Sequence, residues 1–312
     1  MKSPVLCLMG PTATGKTELA IELVGQLPVD IISVDSVMVY RGMDIGTAKP
    51  DAATLEIAPH RLIDICDPAN PYSAAQFRDD ARQQIKAIHA AGKIPLLVGG
   101  TMLYFRALLQ GLSVLPMADQ AVRARLLAEA EALGWDALHQ RLMEVDPEAA
   151  LRIHKNDSQR LQRALEVYEL TGQPLSTLQK RTEGGLDEIY RVIKIVLMPE
   201  DRKILHTQIE KRFQEMLTEG FIEEVEGFYA RKELNENLPA MRSVGYRQVW
   251  QYLDGKMEKA QLHEKGVAAT RQLAKRQITW LRSEVDTSQL DPQQTRLEQQ
   301  VSHVKYRVHT FV

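Results

Sequence analysis

The chain opens on a short continuous apolar run, Val5-Leu6-Cys7-Leu8-Met9, that stops at Gly10. A run of this length bounded by glycine predicts a strand buried on both faces, as in a parallel sheet. Two more such runs follow, Asp30-Ile31-Ile32-Ser33-Val34 and Ile94-Pro95-Leu96-Leu97-Val98. Between them the apolar residues recur at helical spacing. Ala20, Ile21 and Leu23 mark one helix, and Phe77, Ala81, Ile85 and Ile88 mark another. The latter is opened by a capping box at Ser73 and Gln76 and closed by Gly92. A further helix, Leu103 to Leu109, follows the turn Gly99-Gly100-Thr101. Strand–helix alternation of this kind predicts an α/β fold with a doubly wound parallel sheet.

From about Pro116 the texture changes. Asp119 to Gly134, Asp136 to Glu144, Asp146 to Ile153 and Ser158 to Gly172 read as amphipathic helices with Asp or Ser caps and glycine stops, and no strand is predicted among them. Residues 116–189 are thus expected to form a helical insertion in a core made of 1–115 and 190–312. Tyr190 to Leu197 reads as a strand returning to the sheet. The C-terminal part is helical again over Leu205 to Gly220, Phe221 to Arg231, Gln248 to Leu253 and Ala260 to Arg282. Beyond about Ser283 the chain is polar and no element is legible.

Composition changes this picture little. At 312 residues, 44 % hydrophobic and 26 % charged, the chain is long enough for about two globular domains. Its net charge of -2 excludes a uniformly basic nucleic-acid coat. Two cysteines, Cys7 and Cys66, make neither a metal-ligand spacing nor a disulfide framework and suit a reducing cytoplasm. The first apolar run is too short for a signal-peptide core, and no stretch approaches the roughly 20 apolar residues of a membrane span. A cytoplasmic protein is expected.

The candidate chemistry begins where the first strand ends. Gly10-Pro11-Thr12-Ala13-Thr14-Gly15-Lys16-Thr17 matches G-x-x-x-x-G-K-T between a strand and a helix. Such a loop turns successive backbone N–H groups, and the helix N-terminus behind them, toward one anion. Lys16 is placed to reach outer phosphoryl oxygens and the Thr17 hydroxyl to hold a magnesium ion. The motif names a phosphate compound without saying which. Asp35, at the carboxyl end of the second strand, falls on the edge where the loop opens, either as a group of the site or as the cap of the next turn. Thr101 has the same double reading.

Positive charge gathers in three places: Arg152, Lys155, Arg160 and Arg163; Arg242 and Arg247; and Arg271, Lys275, Arg276 and Arg282. Tyr246 and Trp280 lie among them as possible stacking surfaces for unpaired bases. Three readings follow. One is a nucleotide or small-molecule kinase with a helical lid, another a group-transfer enzyme acting on nucleic acid with a phosphorylated donor. The last is a nucleotide-dependent scaffold, for which no residue speaks. The basic groups favour the second.

The motifs taken together resemble the bacterial tRNA dimethylallyltransferase family, also called tRNA isopentenyltransferases. The carriers are the phosphate loop, Asp35-Ser36-Val37-Met38-Val39-Tyr40, Asp44 to Lys49, Gly99 to Tyr104, Asn156-Asp157 with Arg160 to Glu166, Met241 to Tyr246, and Thr270 to Trp280. Met38 and Met102 depart from the commoner family spelling. The resemblance implies a P-loop NTPase-like core and transfer of a dimethylallyl group from its diphosphate to N6 of adenosine 37 of tRNA. It implies Asp35 as base, Thr101 as a further catalytic position, and Lys16, Arg212 and magnesium on Thr17 holding the diphosphate in the loop Gly10–Thr17. It also implies tRNA contacts at Asp35, Ser36, Val37, Met38, Thr101 and Arg123, and at Gln159, Arg160, Leu161, Gln162 and Arg163. Further contacts fall on Ala240, Met241, Arg242, Ser243, Val244 and Gly245, and on Leu273, Ala274, Lys275, Arg276, Gln277, Ile278, Thr279 and Trp280. The insertion is then expected to clamp the anticodon stem-loop.

Overall fold

The structure is a computed structural model and describes residues 2–113, 115–180 and 182–311. Its strands, in chain order, are β1 (Pro4–Met9), β2 (Val29–Val34), β3 (His60–Arg61), β4 (Ile94–Gly99), β5 (Leu112–Ser113), β6 (Thr182–Glu183), β7 (Arg191–Leu197) and β8 (Thr287–Leu290). The chain divides into two compact units, Met1–Leu108 with Ile189–Val312, and Leu109–Glu188. The division falls earlier than the change in texture at Pro116, because β5 pairs antiparallel with β6 and so belongs with the helical unit. β5 and β6 flank the four expected helices and do not fall among them; two residues are too short to show a period.

In the larger unit six strands form one sheet in the order β3-β2-β4-β1-β7-β8. Every pairing in it is parallel. The central strands are continuous apolar runs because both faces are covered: Val5 to Met9 and Ile31 to Val34 are all buried. One face is packed by the helix Lys16–Gln26 and by Leu297–Phe311, whose Val301, Val304 and Val308 join Leu19 and Leu23 in a common core. A second core gathers the helices Arg202–Thr218, Phe221–Tyr229, Tyr246–Leu253 and Lys259–Leu281 around Phe213, Phe221, Val225 and Trp250. The capping box of the helix Ala74–Ala90 is formed by Ser73 and Gln76 as the sequence predicts. The polar segment beyond Ser283 does carry structure, β8 and a closing helix. β8 is an edge strand with no fully buried residue, so its sequence lacks the apolar run that betrays the inner strands.

The smaller unit packs the helices Gln120–Leu133, Trp135–Val145, Pro147–Arg152 and Ser158–Thr171 around Leu126, Leu138, Leu142, Leu161 and Leu165. At its centre Glu166 is 0 % exposed. Its carboxylate accepts from Arg123 Nε (2.9 Å), Arg163 Nη1 (2.6 Å) and the backbone N–H of Asp119 (2.8 Å). Burial pushes this carboxyl up, but the bonds from Arg123, Arg163 and Asp119 outweigh it and hold the group below 4.5. A depressed carboxyl adds stability above its unfolded value and loses it as pH falls through the folded one. Unpairing a fully buried pair costs about 3–5 kcal/mol, and partial exposure of the arginines sets the cost here at or below that range. Glu166→Ala is therefore expected to loosen the helical unit, with faster amide exchange over 158–171, and to flatten the loss of stability below pH 4.5 in the parent. Unchanged exchange in this helix would contradict the role.

Candidate active site

Parallel registry brings the ends of three strands together. Gly99 pairs with both Met9 and Val34, so the residues that follow each strand, Gly10, Asp35 and Gly100, emerge on one edge. A cavity of about 940 Å³ opens there. Its walls include the loop Thr12–Thr17, Asp35, Val37 and Met38, the segment 44–52, and Arg212, Phe213, Met216, Leu273 and Gln277 from the helices. The volume lies within the range of small-molecule sites.

The loop itself takes left-handed backbone conformations at Ala13 and Gly15, with φ of 62° and 78°. Thr14 Oγ1 donates to Pro11 O at 2.9 Å, and Lys16 Nζ donates to the same carbonyl at 2.6 Å. Lys16 is drawn from 10.5 down to about 7, by burial first and by the charge of Arg212 second, with Asp35 acting in the opposite sense. Arg212 is likewise lowered by burial and supported by Asp35, and its Nη2 donates to Thr47 O at 3.2 Å. Lys16 and Arg212, both half-buried, thus share Asp35 on one cavity, with Glu215 also beside Arg212. Cations and loop N–H groups gathered in this way can hold a polyanion.

Asp35 both fixes a turn and stands on the cavity wall. Its Oδ1 accepts from the N–H groups of Val37 (2.8 Å) and Met38 (3.1 Å), which fixes the turn. The residue also lines the cavity. Thr101 stands at the head of the helix Met102–Leu109, yet its hydroxyl accepts from Ser36 N–H at 3.1 Å and so ties the end of β4 to the end of β2.

The wall 44–49 is held from outside. Glu224 accepts the N–H groups of Asp44, Ile45 and Gly46, and the Tyr246 hydroxyl as well. Lys49, 4 % exposed, bridges Asp44 and Asp64 at 2.6 Å each and donates to Tyr40 O. Glu224 lies outside every motif, so nothing in the sequence singles it out.

Burial divides the residues expected to contact nucleic acid. Ala240, Met241, Gly245 and Tyr246 are packed in the second core, with Tyr246 against Phe221 and Phe228, so no base can stack on it. Leu161 belongs to the core of the helical unit. On Lys259–Leu281, Ala274, Gln277 and Ile278 face inward while Lys275, Arg276 and Thr279 face solvent; a helix buried on one side splits a continuous motif this way. Trp280 is partly exposed, with Arg106 stacked 5.6 Å from its ring centroid. Arg123 and Arg163 are engaged by Glu166, whereas Arg160 is 72 % exposed with Asp157 at 3.5 Å. Gln159 and Arg242 are exposed, and Gln162, Ser243, Val244 and Leu273 are half-buried. No group of three or more His, Cys, Asp or Glu able to hold a metal occurs among the described residues.

A phosphate loop at the carboxyl edge of a parallel sheet, with Lys16, Arg212 and Asp35 on one cavity, defines a P-loop-type enzyme of group transfer. Residues 38–284 match the family model of the IPP transferases and residues 3–66 that of isopentenyl transferases. The chain belongs to the IPP transferase family and is an enzyme of the prenyltransferase class. It is 63 % identical over 294 residues to the tRNA dimethylallyltransferase of Alkalilimnicola ehrlichii, a match covering 94 % of this chain and 92 % of the relative. Among solved structures it is similar to the full-length tRNA isopentenylpyrophosphate transferase of Bacillus halodurans, with a TM-score of 0.73, 34 % identity, and coverage of 99 % and 96 % of the two chains. It is also similar to a eukaryotic dimethylallyltransferase acting on tRNA, with a TM-score of 0.78, 26 % identity, and coverage of 98 % and 77 %. The kinase reading is not favoured.

The depressed Lys16 makes anion binding proton-linked. Near pH 7 the free lysine is about half charged, and a polyanion beside it restores its affinity for the proton. At pH 7 pyrophosphate binding is therefore expected to draw about half a proton onto Lys16, and to weaken as pH rises above 7. Calorimetry in two buffers of different ionisation enthalpy measures the uptake, and Lys16→Ala should abolish it. In the ligand-free protein the sign is reversed. The unfolded lysine keeps its proton up to 10.5, so this group's contribution to stability rises between about pH 7 and 10.5.

Proposed function

We propose that this tRNA prenyltransferase moves a dimethylallyl group from dimethylallyl diphosphate to N6 of adenosine 37, beside the anticodon, in the cytoplasm. The observation that carries the mechanism is Asp35, a carboxylate fixed by its own turn on the cavity that also holds Lys16 and Arg212. The adenine amine is a poor nucleophile because its lone pair is delocalised into the ring. As N6 bonds to the prenyl carbon and the carbon–oxygen bond to the diphosphate breaks, Asp35 takes the amine proton. Lys16 and Arg212 hold the charge that leaves with the diphosphate. Thr101, bonded to Ser36, positions the strand edge on which Asp35 stands. The target base leaves its stack to reach this edge, as in other base-modifying enzymes.

The donor set fits a magnesium ion that keeps most of its water. The Thr17 hydroxyl, on the cavity wall beside Lys16, is the group that would hold the ion, with phosphate oxygens and water completing its shell. When bound, that ion would neutralise diphosphate charge. The exposed cations Arg160, Arg242, Lys275 and Arg276 are the groups best placed to meet tRNA phosphates.

Asn at position 35 can still accept from Val37 and Met38, so Asp35→Asn is expected to fold and to bind both substrates. Single-turnover transfer should slow by about 10²–10⁴, the usual cost of a missing general base. A parental rate with both substrates saturating would remove Asp35 from this role. Lys275→Ala with Arg276→Ala should flatten the dependence of log K for tRNA on log salt by about 1.4, at about 0.7 per lost phosphate contact. Filter binding at a series of salt concentrations reads that slope, and pyrophosphate affinity should stay at the parental value.

A further inference from the structure

On the inner stripe of the helix Lys259–Leu281, formed by Ala274, Gln277, Ile278 and Leu281, Gln277 alone is polar. A buried amide is costly unless both of its ends are bonded, and here both are. Its Oε1 accepts from the backbone N–H of Thr12 in the phosphate loop at 2.9 Å, and its Nε2 donates to Gly100 O at 2.9 Å. Position 100 is shaped to admit it: a Cβ on Gly100 would lie 2.5 Å from Nε2. The side chain also lines the cavity. The family resemblance implies Gln277 as a tRNA contact, but its burial turns it away from the face that carries Lys275 and Arg276.

We propose that Gln277 is a positioning residue of the donor site, a neutral strut that sets the gap between the phosphate loop and the turn after β4. This rests on the reading that the loop holds a diphosphate. An amide suits the place on two counts. It supplies an acceptor to Thr12 and a donor to Gly100 together, which no carboxylate does at neutral pH. It also brings no negative charge to a loop whose N–H groups and Lys16 await an anion. Held in advance, the loop loses less freedom when the diphosphate arrives.

The test compares Gln277→Glu, Gln277→Ala and Gly100→Ala with the parent, using pyrophosphate as the probe. Gln277→Glu is isosteric and keeps the acceptor for Thr12, so it should fold. Its pyrophosphate Kd is expected to rise at least tenfold, and the KM for dimethylallyl diphosphate with it. The kcat at saturating donor should stay within a few-fold and tRNA affinity within twofold. Gln277→Ala and Gly100→Ala, which remove the strut or its seat, should show the same split between KM and kcat. Parental pyrophosphate affinity in the folded variants, with only the melting temperature lowered, would reduce Gln277 to a core polar group and overturn the proposal. Loss of tRNA affinity with pyrophosphate binding intact would return it to the acceptor side, with the same result. If the parent binds pyrophosphate no better than Lys16→Ala does, the diphosphate reading itself falls, and the strut with it.

Discussion

The pairing of Gly99 between Met9 and Val34 is the contact on which the site depends. A side chain at Gly99 would place its Cβ 2.0 Å from Val34 O, so the three strands close up only because none is there. With all three parallel and their ends level, the phosphate loop, Asp35 and the turn at Gly100 leave the sheet side by side. A strand shifted by one residue would turn its buried side chains to the other face and carry its terminal group away from the edge. The chemistry is thus set by sheet register before any side chain of the cavity is considered.

Charge is the second constraint. Taking Lys16 and Arg212 out of water disfavours their charged forms, and both are depressed in the direction burial dictates. Asp35 acts on both, and Glu215 on Arg212, in the sense that favours the charged forms. The wall 44–49 is fixed as well: Glu224 holds the backbone N–H groups of Asp44, Ile45 and Gly46, and Lys49 within the wall bridges Asp44 and Asp64. A loop so tied is a rigid part of the site.

The basic residues divide by the same logic of burial. Arg123 and Arg163 are committed to Glu166 and contribute to the integrity of the helical unit, while Arg160 projects into water. On the long helix, Lys275 and Arg276 project outward from a stripe that is otherwise core. The motif on the long helix is therefore also a packing motif, because every helix laid on a core has one face to bury.

Local signals in the sequence determined the phosphate loop, the four inner strands and most helices, since each writes itself as an eight-position motif, a continuous apolar run or a 3.6-residue period. They also brought Asp35 and Thr101 to the correct edge, because parallel α/β sheets present ligand groups at their carboxyl ends. The helices of the smaller unit were legible for the same reason, from caps and glycine stops. Tertiary structure alone decided which members of the basic and tRNA-type motifs reach solvent, as burial depends on what packs against a helix. It alone revealed β8, whose edge position removes the apolar run. It alone joined Gln277 to Thr12, 265 residues away, and Glu224 to the loop at Asp44. A hydrogen bond across such a separation leaves no periodicity in the chain; it exists only once the fold has brought its two ends within 3 Å.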